Sequence, residues 1–419
     1  MLLRLLTSLM LSSITTTVNF PALLMEPYSG SDPDVGKSIE YMVTSKGYPF
    51  ERHRVTTEDG YILEMHRIPH GRQACSVPCS RQPVFLMSGF LVASITFVLN
   101  SPRQSLGFVL ADHGYDVWLG NVRGNTYGKN HRKFSNASRE FWNFSFHEFG
   151  AYDGPAQIDH VLKQTKRDSL FYVGLSQGAL MYFIMMSERP EYNAKVKAMA
   201  GLAPFRKMPN FKVPFLEVIA TRGNGFLNGL YSSGVYEVMP RDFLAAKGAR
   251  ALCAFPSGRS VCAFLADFMF NMGHTHTNHS RYPVYMSHLP SGTSIKNMIH
   301  LSQLVISKNA QKYDYGPEGN REKYGQSDPP HYRLDNVAND IGIFWSRGDK
   351  FVPPEDVDEL IRELGPRVKM KHFVDDPEYR HFHFGVGTVN HEAWHEELLE
   401  FLGRYSDHVR SMRLPAGTC

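Results

Sequence analysis

Apolar residues follow two patterns that alternate along the chain. Short segments that read as strands, most of them rich in apolar residues, occur at residues 83–87, 115–119, 170–173, 196–202, 341–345 and 369–374. Segments that read as helices lie between or after them, at residues 106–113, 152–165, 177–188, 354–364 and 392–402. Residues 52–65 instead alternate around an Asp-Gly turn and predict a β-hairpin. Repeated strand–helix units predict an α/β fold with a mostly parallel central sheet flanked by helices.

The alternation stops between residues 204 and 334. Aromatic, leucine and methionine side chains are scattered here among glycines, prolines and helical fragments: Phe205, Met208, Phe211, Phe215, Phe226, Leu227, Phe243, Phe255, Phe264, Phe268 and Met272. We interpret this stretch as an inserted, mainly helical cap. Most of these side chains are expected to form the cap's own small core, and the rest to line an acyl pocket. The predicted core then has two parts, residues 21–203 and 335–419.

The first 20 residues have the form of a secretory signal peptide. Arg4 precedes an apolar stretch over residues 5–14, which is too short to span a bilayer. No later segment reaches about 18 uninterrupted apolar residues, so no transmembrane segment is predicted. The alternative is a buried N-terminal helix. We expect export, either by secretion or to the lysosome.

Composition and charge are those of a folded globular protein. Hydrophobic residues make up 42% and charged residues 21% of the chain. The net charge is only +4 and no long basic run occurs, so nothing favours binding to nucleic acid.

The chain contains five cysteines, an odd number that leaves at least one without an internal partner. Local bridges between Cys75 and Cys79 and between Cys253 and Cys262 are the economical arrangement, with Cys419 left over. Cys75 and Cys79 have no second pair at ligand spacing, and no metal site is predicted.

Three Asn-x-Ser sequons are meaningful if the chain is exported. Asn143 lies in an aromatic run and is expected to be buried. We therefore predict glycosylation at Asn136 and Asn278 only.

A Gly174-x-Ser176-x-Gly178 turn joins a predicted buried strand to a predicted helix. This context is that of a nucleophile elbow, in which a strained turn exposes the serine hydroxyl and the glycines allow close packing. A chance match to such a short motif is the alternative. The strand at residues 83–87 runs into Gly89 and Phe90, where an oxyanion-hole N–H is expected.

An elbow serine needs a histidine base and an acid that orients it, and both follow the serine along the chain after late strands. Asp349 and His381 stand at such positions. Rivals exist, because Asp375 and Asp376 also follow a strand and His383 lies two residues from His381. Position favours Asp349 and His381.

Several longer motifs are more specific than the elbow: Thr57-Glu-Asp-Gly-Tyr-Ile-Leu63, Tyr115-Asp-Val-Trp-Leu-Gly-Asn-Val-Arg-Gly-Asn125, Glu140-Phe-Trp-Asn-Phe-Ser-Phe146, Ser287-His-Leu-Pro-Ser-Gly-Thr-Ser294 and Asp314-Tyr-Gly316. Through them nearly all of the chain after about residue 34 resembles the acid lipases of the α/β-hydrolase fold, the group that contains gastric and lysosomal acid lipases.

The resemblance implies a role for each matching position. The nucleophile falls on Ser176, the acid on Asp349 and the base on His381. The oxyanion donors fall on the backbone N–H groups of Phe90 and Gln177. It also implies the cap at 204–334, a cap disulfide between Cys253 and Cys262, and neutral lipids, triacylglycerols or sterol esters, as substrates, often at acidic pH.

Three positions depart from the family pattern. Ser88 and Phe90 stand where the family usually has His-Gly-Leu, Leu175 replaces a histidine before the nucleophile, and His383 replaces an aspartate after the base. None of these changes removes a triad side chain or a donor N–H. They affect the expected substrate preference and pH optimum more than catalysis.

We therefore expect a secreted or lysosomal serine lipase or esterase that cleaves neutral-lipid esters at a lipid–water interface through an acyl-enzyme. The chemistry requires no cofactor and no metal. Two alternatives remain: a non-catalytic lipid-binding protein on a lipase scaffold, and a carboxylesterase for shorter esters. The sequence does not determine the oligomeric state.

Overall fold

The predicted strands form one nine-stranded sheet. The computed structural model describes residues 32–73, 81–241, 248, 253 and 256–406. The strands of the sheet are β1 (Glu51–Thr56), β2 (Tyr61–Ile68), β3 (Pro83–Met87), β4 (Asp116–Gly120), β5 (Asn130–His131), β6 (Leu170–Leu175), β7 (Val196–Leu202), β10 (Ile341–Ser346) and β11 (Val368–Val374). A separate antiparallel pair consists of β8 (Glu237–Val238) and β9 (Thr293–Ser294).

The sheet order is β1-β2-β4-β3-β6-β7-β10-β11, with β5 paired to β2. From β4 to β11 all neighbours are parallel, whereas β1 and β2 form the predicted hairpin and join β4 in antiparallel fashion. The mostly parallel sheet expected from the sequence is confirmed.

Alternate residues of the central strands enter two hydrophobic clusters. Leu86 and Val173 belong to one cluster, and Phe85 and Tyr172 to the other. Because successive side chains of a strand point to opposite faces, a strand covered on both faces needs a continuous apolar run. This requirement explains why β3, β4, β6 and β10 are buried along their whole length.

The helices in chain order are α1 (Ile39–Thr44), α2 (Leu106–Asp112), α3 (Phe146–Glu148), α4 (Gly154–Thr165), α5 (Gln177–Glu188), α6 (Pro214–Arg222), α7 (Asn224–Ser232), α8 (Pro256–Phe270), α9 (Tyr282–His288), α10 (Ile295–Ser307), α11 (Gly316–Tyr324), α12 (Pro354–Leu364), α13 (His383–Val386) and α14 (Glu396–Tyr405). Single π-helical turns at Phe149–Asp153 and His391–His395 lead into α4 and α14. In the described residues no helix is long and apolar enough to cross a bilayer.

Residues 203–340, between β7 and β10, are called the insert below. Its described part holds α6 to α11 and the β8–β9 pair and adds no strand to the central sheet. A disulfide joins Cys253 to Cys262, with 5.5 Å between their Cα atoms.

The expectation that most apolar side chains of the insert form its own core is wrong in part. Phe205, Met208 and Phe211 line a cavity shared with the core of the protein. Other apolar side chains of the insert are exposed, namely Phe226 in α7 and Phe264 and Phe268 in α8. Leu227 and Met272 are buried as expected.

Several predictions lie outside the described residues. They concern the signal peptide at 1–20, Phe243 and Phe255, and the three cysteines Cys75, Cys79 and Cys419.

The expectation that Asn143 is buried is wrong. Its side chain is exposed, although its neighbours Trp142 and Phe144 are buried, and its Oδ1 accepts a hydrogen bond from Lys296 Nζ at 2.9 Å. Asn136 is exposed and Asn278 is half-buried, so their glycosylation stays a prediction.

Candidate active site

Ser176 occupies a strained turn between β6 and α5. Its backbone has φ 54° and ψ −116°, a conformation that costs energy for a residue with a Cβ. A Cβ built on Gly174 would lie 2.6 Å from the backbone nitrogen of Ala179 in α5, so only glycine lets the helix pack here. A Cβ on Gly178 would instead collide with the carbonyl of Met87 at the end of β3.

Ser176 lies where the strand order of the sheet reverses. Strand β3 lies between β4 and β6, and the loops after β3 and β6 meet at this point. Crevices at such switch points are the usual ligand sites of parallel sheets. A Cβ built on Gly89 would lie 3.6 Å from Ser176 Oγ, so the two loops are in contact.

Two backbone N–H groups stand beside this serine without protein acceptors in the described residues. Gln177 is the first residue of α5, and its N–H has no intrahelical acceptor. The N–H of Phe90, in the loop after β3, is also unpaired. Both were predicted as oxyanion donors, a role that stays a proposal.

Three side chains from distant parts of the chain form one hydrogen-bonded chain. Ser176 Oγ lies 2.8 Å from His381 Nε2, and His381 Nδ1 lies 2.7 Å from Asp349 Oδ2. The carboxylate can only accept, so Nδ1 carries the proton and Nε2 accepts from the serine hydroxyl. All three side chains are buried.

Hydrogen bonds and ring stacking hold the Asp349 carboxylate and the His381 imidazole. Asp349 Oδ1 accepts from the N–H groups of Phe351 and Val352, at 2.8 and 2.9 Å, which leaves Oδ2 for the histidine. The Phe351 ring stacks on the His381 ring with centroids 4.9 Å apart. The carboxylate and the imidazole are therefore each held by contacts beyond their own hydrogen bond.

The rival acids and base have other partners. Asp375 pairs with Arg347 on the surface, and Asp376 accepts from His276 Nε2 at 2.7 Å. His383 accepts from the backbone N–H of Arg380 and contacts Thr277, and burial lowers its pKa to about 3. The structure brings none of the three into the Ser176 chain.

A cavity with about 950 Å³ of empty space, part of it open to solvent, adjoins Ser176 and His381. The insert contributes apolar side chains to its wall, among them Phe205, Met208, Phe211, Leu216, Ile219 and Val305. The core contributes Phe90, Leu91, Val92, Leu175 and Phe382. The cavity wall therefore includes Phe90 and Leu175, two positions at which the sequence departs from the family pattern.

Within the described ranges no group of three or more His, Cys, Asp or Glu side chains is placed to hold a metal ion.

Two family models match the first part of the chain, and the second of them includes Ser176. The model for a partial alpha/beta-hydrolase lipase region matches residues 39–101, and the model for the alpha/beta hydrolase fold matches residues 83–231. The chain is 36% identical to the gastric triacylglycerol lipase of Homo sapiens, an alignment that covers 84% of this chain and 87% of the relative. The chain belongs to the acid lipase family of α/β-hydrolases.

Other comparisons agree with this assignment. Lipase lipl-3 of Caenorhabditis elegans is 36% identical over 86% of this chain and 90% of its own length. The solved structure of a lipase-like protein from Sulfolobus solfataricus matches 85% of this chain and 94% of its own with a TM-score of 0.53. At 12% identity, that likeness shows the fold alone. As a member of this family, the chain is a hydrolase of the lipase and esterase class.

Several residues that hold the site could not be predicted from the sequence. Phe351 stacks on the His381 ring, and Asn271 and Thr277 of the insert contact the loops that carry Asp349 and His381. These contacts join residues far apart in the chain and follow no periodic pattern, so no local signal marks them.

Proposed function

We propose that this member of the acid lipase family is a serine hydrolase that cleaves the ester bonds of neutral lipids through an acyl-enzyme. The observation that supports this proposal best is the hydrogen-bonded chain from Ser176 through His381 to Asp349. Serine, histidine and aspartate side chains joined by the same two hydrogen bonds activate serine in hydrolases of unrelated fold.

In this mechanism Ser176 Oγ attacks the ester carbonyl carbon while its proton passes to His381 Nε2. Asp349 stabilises the imidazolium that forms. The N–H groups of Phe90 and Gln177 stabilise the negative oxygen of the tetrahedral intermediate. His381 then gives the proton to the departing alcohol, and the C–O bond breaks to leave an acylated serine. Water, deprotonated by His381, attacks the acyl carbon. The bond to Ser176 Oγ then breaks, His381 returns the proton to this oxygen, and the fatty acid leaves.

The lining of the cavity supports a long-chain lipid substrate. A wall formed mainly by aliphatic and aromatic side chains suits an acyl chain better than an acetyl group. The name of the Homo sapiens relative includes triacylglycerol, and we extend that substrate class, with sterol esters, to this chain.

We further propose that the enzyme is exported, by secretion or to the lysosome, and works at a lipid–water interface. The apolar stretch near the N-terminus and the sequons at Asn136 and Asn278 support export. The exposed apolar side chains of α8 support contact with a lipid surface.

Replacing the nucleophile tests the mechanism. In related triads, removal of the serine lowers turnover by about 10⁶-fold, so Ser176→Ala should abolish hydrolysis of triolein and cholesteryl oleate at every pH between about 4 and 8. Ser101→Ala, at an exposed serine whose hydroxyl bonds only Gln104, is the matched control and should retain activity. Substantial activity in Ser176→Ala would contradict the mechanism.

An alkylphosphonate probe separates an enzyme from a lipid carrier. The unaltered protein should form a covalent adduct on Ser176, whereas a carrier would bind fatty ligands without reacting. A series of esters of increasing acyl length then separates a lipase from a short-chain carboxylesterase. A preference for acetate over oleate esters would contradict the lipid assignment.

A further inference from the structure

Residues 271–277 of the insert contact both loops that carry the acid and the base. We call this stretch the connecting segment. Asn271 Oδ1 accepts from the N–H of Lys350, the residue after Asp349, at 3.1 Å. At its other end, Thr277 forms an antiparallel bridge with Gly387, and the carbonyl of His276 accepts from the N–H of Thr388 at 2.9 Å.

His383 closes the turn that holds the catalytic base. Its backbone N–H donates to the carbonyl of Arg380 at 3.1 Å, and its side-chain Nδ1 accepts from the N–H of Arg380 at 2.8 Å. His381 lies inside this four-residue turn. The position of the His381 ring therefore depends on how the His383 ring is held.

Thr277 of the connecting segment holds the His383 ring. Because Nδ1 accepts, the proton of the neutral ring is on Nε2, which donates to Thr277 Oγ1 at 3.1 Å. The threonine hydroxyl in turn donates to the carbonyl of Gly273 at 3.1 Å. Donor and acceptor thus match at each step from Arg380 to Gly273.

Close packing leaves the His383 ring no other position. The ring is fully buried, and a Cβ built on Gly273 would lie 2.6 Å from its Cε1 atom. Gly273 has φ +70°, which favours glycine over any residue with a Cβ.

We propose that His383 is a positioning residue that, through Thr277, ties the orientation of His381 to the insert. This inference rests on the proposed function, because it assigns His381 as the base. Its consequence is that the part of the insert next to the site helps to assemble the catalytic geometry in addition to covering the substrate.

The matched variants Thr277→Val and Thr277→Ser test this link. Valine has the shape of threonine without the hydroxyl, whereas serine keeps the hydroxyl. We expect Thr277→Val to lower kcat about 10-fold with KM unchanged, because a displaced base affects chemistry more than binding. Thr277→Ser should restore kcat to within about 2-fold of the unaltered protein. Titration of active sites with an alkylphosphonate normalises each rate to the folded, reactive enzyme.

A second variant removes the link from the other side. His383→Asn keeps an acceptor near the Nδ1 position and cannot reach Thr277, so its kcat should fall by a similar factor. The kcat of the double variant His383→Asn/Thr277→Val should fall no further than that of either single variant, because each single change already removes the same hydrogen bond.

Equal kcat per titrated site in Thr277→Val and the unaltered protein would overturn the inference. A fall in the kcat of the double variant equal to the product of the two single falls would also overturn it. These results differ from failure of the proposed function, in which the unaltered protein itself would neither hydrolyse oleate esters nor react with the phosphonate.

Discussion

At the scale of single residues, the site depends on glycine, which has no Cβ atom. Gly174 lets α5 pack against β6, and the strained backbone of Ser176 persists only because the surrounding structure holds it. The sequence predicted this arrangement, because a Gly-x-Ser-x-Gly turn between a strand and a helix has few other uses.

Gly174→Ala should destabilise the protein by about 1–3 kcal/mol, because its Cβ would lie 2.6 Å from the backbone of Ala179. The free energy of unfolding in urea measures this. Gly229→Ala is the matched control, since a Cβ there meets nothing within 4 Å in the middle of α7. It should instead stabilise the protein by about 0.5–1 kcal/mol. If Gly174→Ala lowered the free energy of unfolding no more than Gly229→Ala does, the close approach between Gly174 and the backbone of Ala179 would be absent.

Other residues could not be predicted because their environment is decided by distant contacts. Asn143 lies in a run of buried aromatic side chains yet faces solvent and Lys296. Order along the chain placed Asp349 and His381 among the candidates, and position favoured them over Asp376 and His383. The hydrogen bonds of Asp376 and His383 to other residues, which no sequence pattern shows, separate these two rivals from the Ser176 chain.

At the scale of elements, the core strands and helices were predictable and the role of the insert was not. Apolar runs predicted β3, β6 and β10 to within two residues, because strands buried on both faces need such runs. Helix α8 carries apolar side chains on both sides. Their division between core and surface follows from tertiary packing, which no pattern in the sequence encodes.

One face of α8 is exposed and apolar over two turns. Val261, Phe264, Leu265 and Phe268 recur at helical spacing and are 49%, 61%, 38% and 47% exposed, whereas Cys262 and Ala266 on the other side are buried. An exposed apolar stripe of this kind suits adsorption to a lipid surface.

Phe264→Asp should therefore lower the rate on emulsified triolein several-fold, because a charge is costly at an oily surface. The rate on a dissolved short-chain ester should stay unchanged, because Phe264 does not line the cavity. The control is Phe373→Asp, at an exposed ring on the edge strand β11, which should leave both rates unchanged. An equal loss on both substrates would argue against surface adsorption through α8.

At the scale of the whole molecule, buried neutral histidines make stability depend on pH. Burial lowers the pKa of His300, His383 and His395 from 6.5 to about 3. The unfolded chain binds these protons below pH 6.5 and the folded protein does not, so stability is lost as the pH falls from 6.5 towards 3. At pH 5 each histidine costs roughly 2 kcal/mol, at about 1.4 kcal/mol per pH unit.

Asp153 opposes this effect in part. Burial raises the pKa of Asp153 from 3.8 to about 6 although the carboxylate pairs with Arg123, so the folded protein binds this proton more readily as the pH falls. The net effect of acid between pH 7 and 5 is still a loss of stability.

We therefore expect the midpoint of urea unfolding to be lower at pH 5 than at pH 7. His395→Leu should reduce the difference in the free energy of unfolding between the two pH values by roughly 2 kcal/mol, because neither ring nitrogen of His395 has a hydrogen-bond partner among the described residues. Equal midpoints at the two pH values would mean that these histidines titrate normally in the folded protein.

The hydrogen bonds of Asn271 and His276 to the loops after β10 and β11 limit how the molecule can be shortened. Excising residues 203–340 to obtain a minimal hydrolase would keep every triad side chain in the polypeptide. It would also remove the acceptors of the Lys350 and Thr388 amides and release both loops. Exchange of this region between relatives should transfer turnover number together with substrate range.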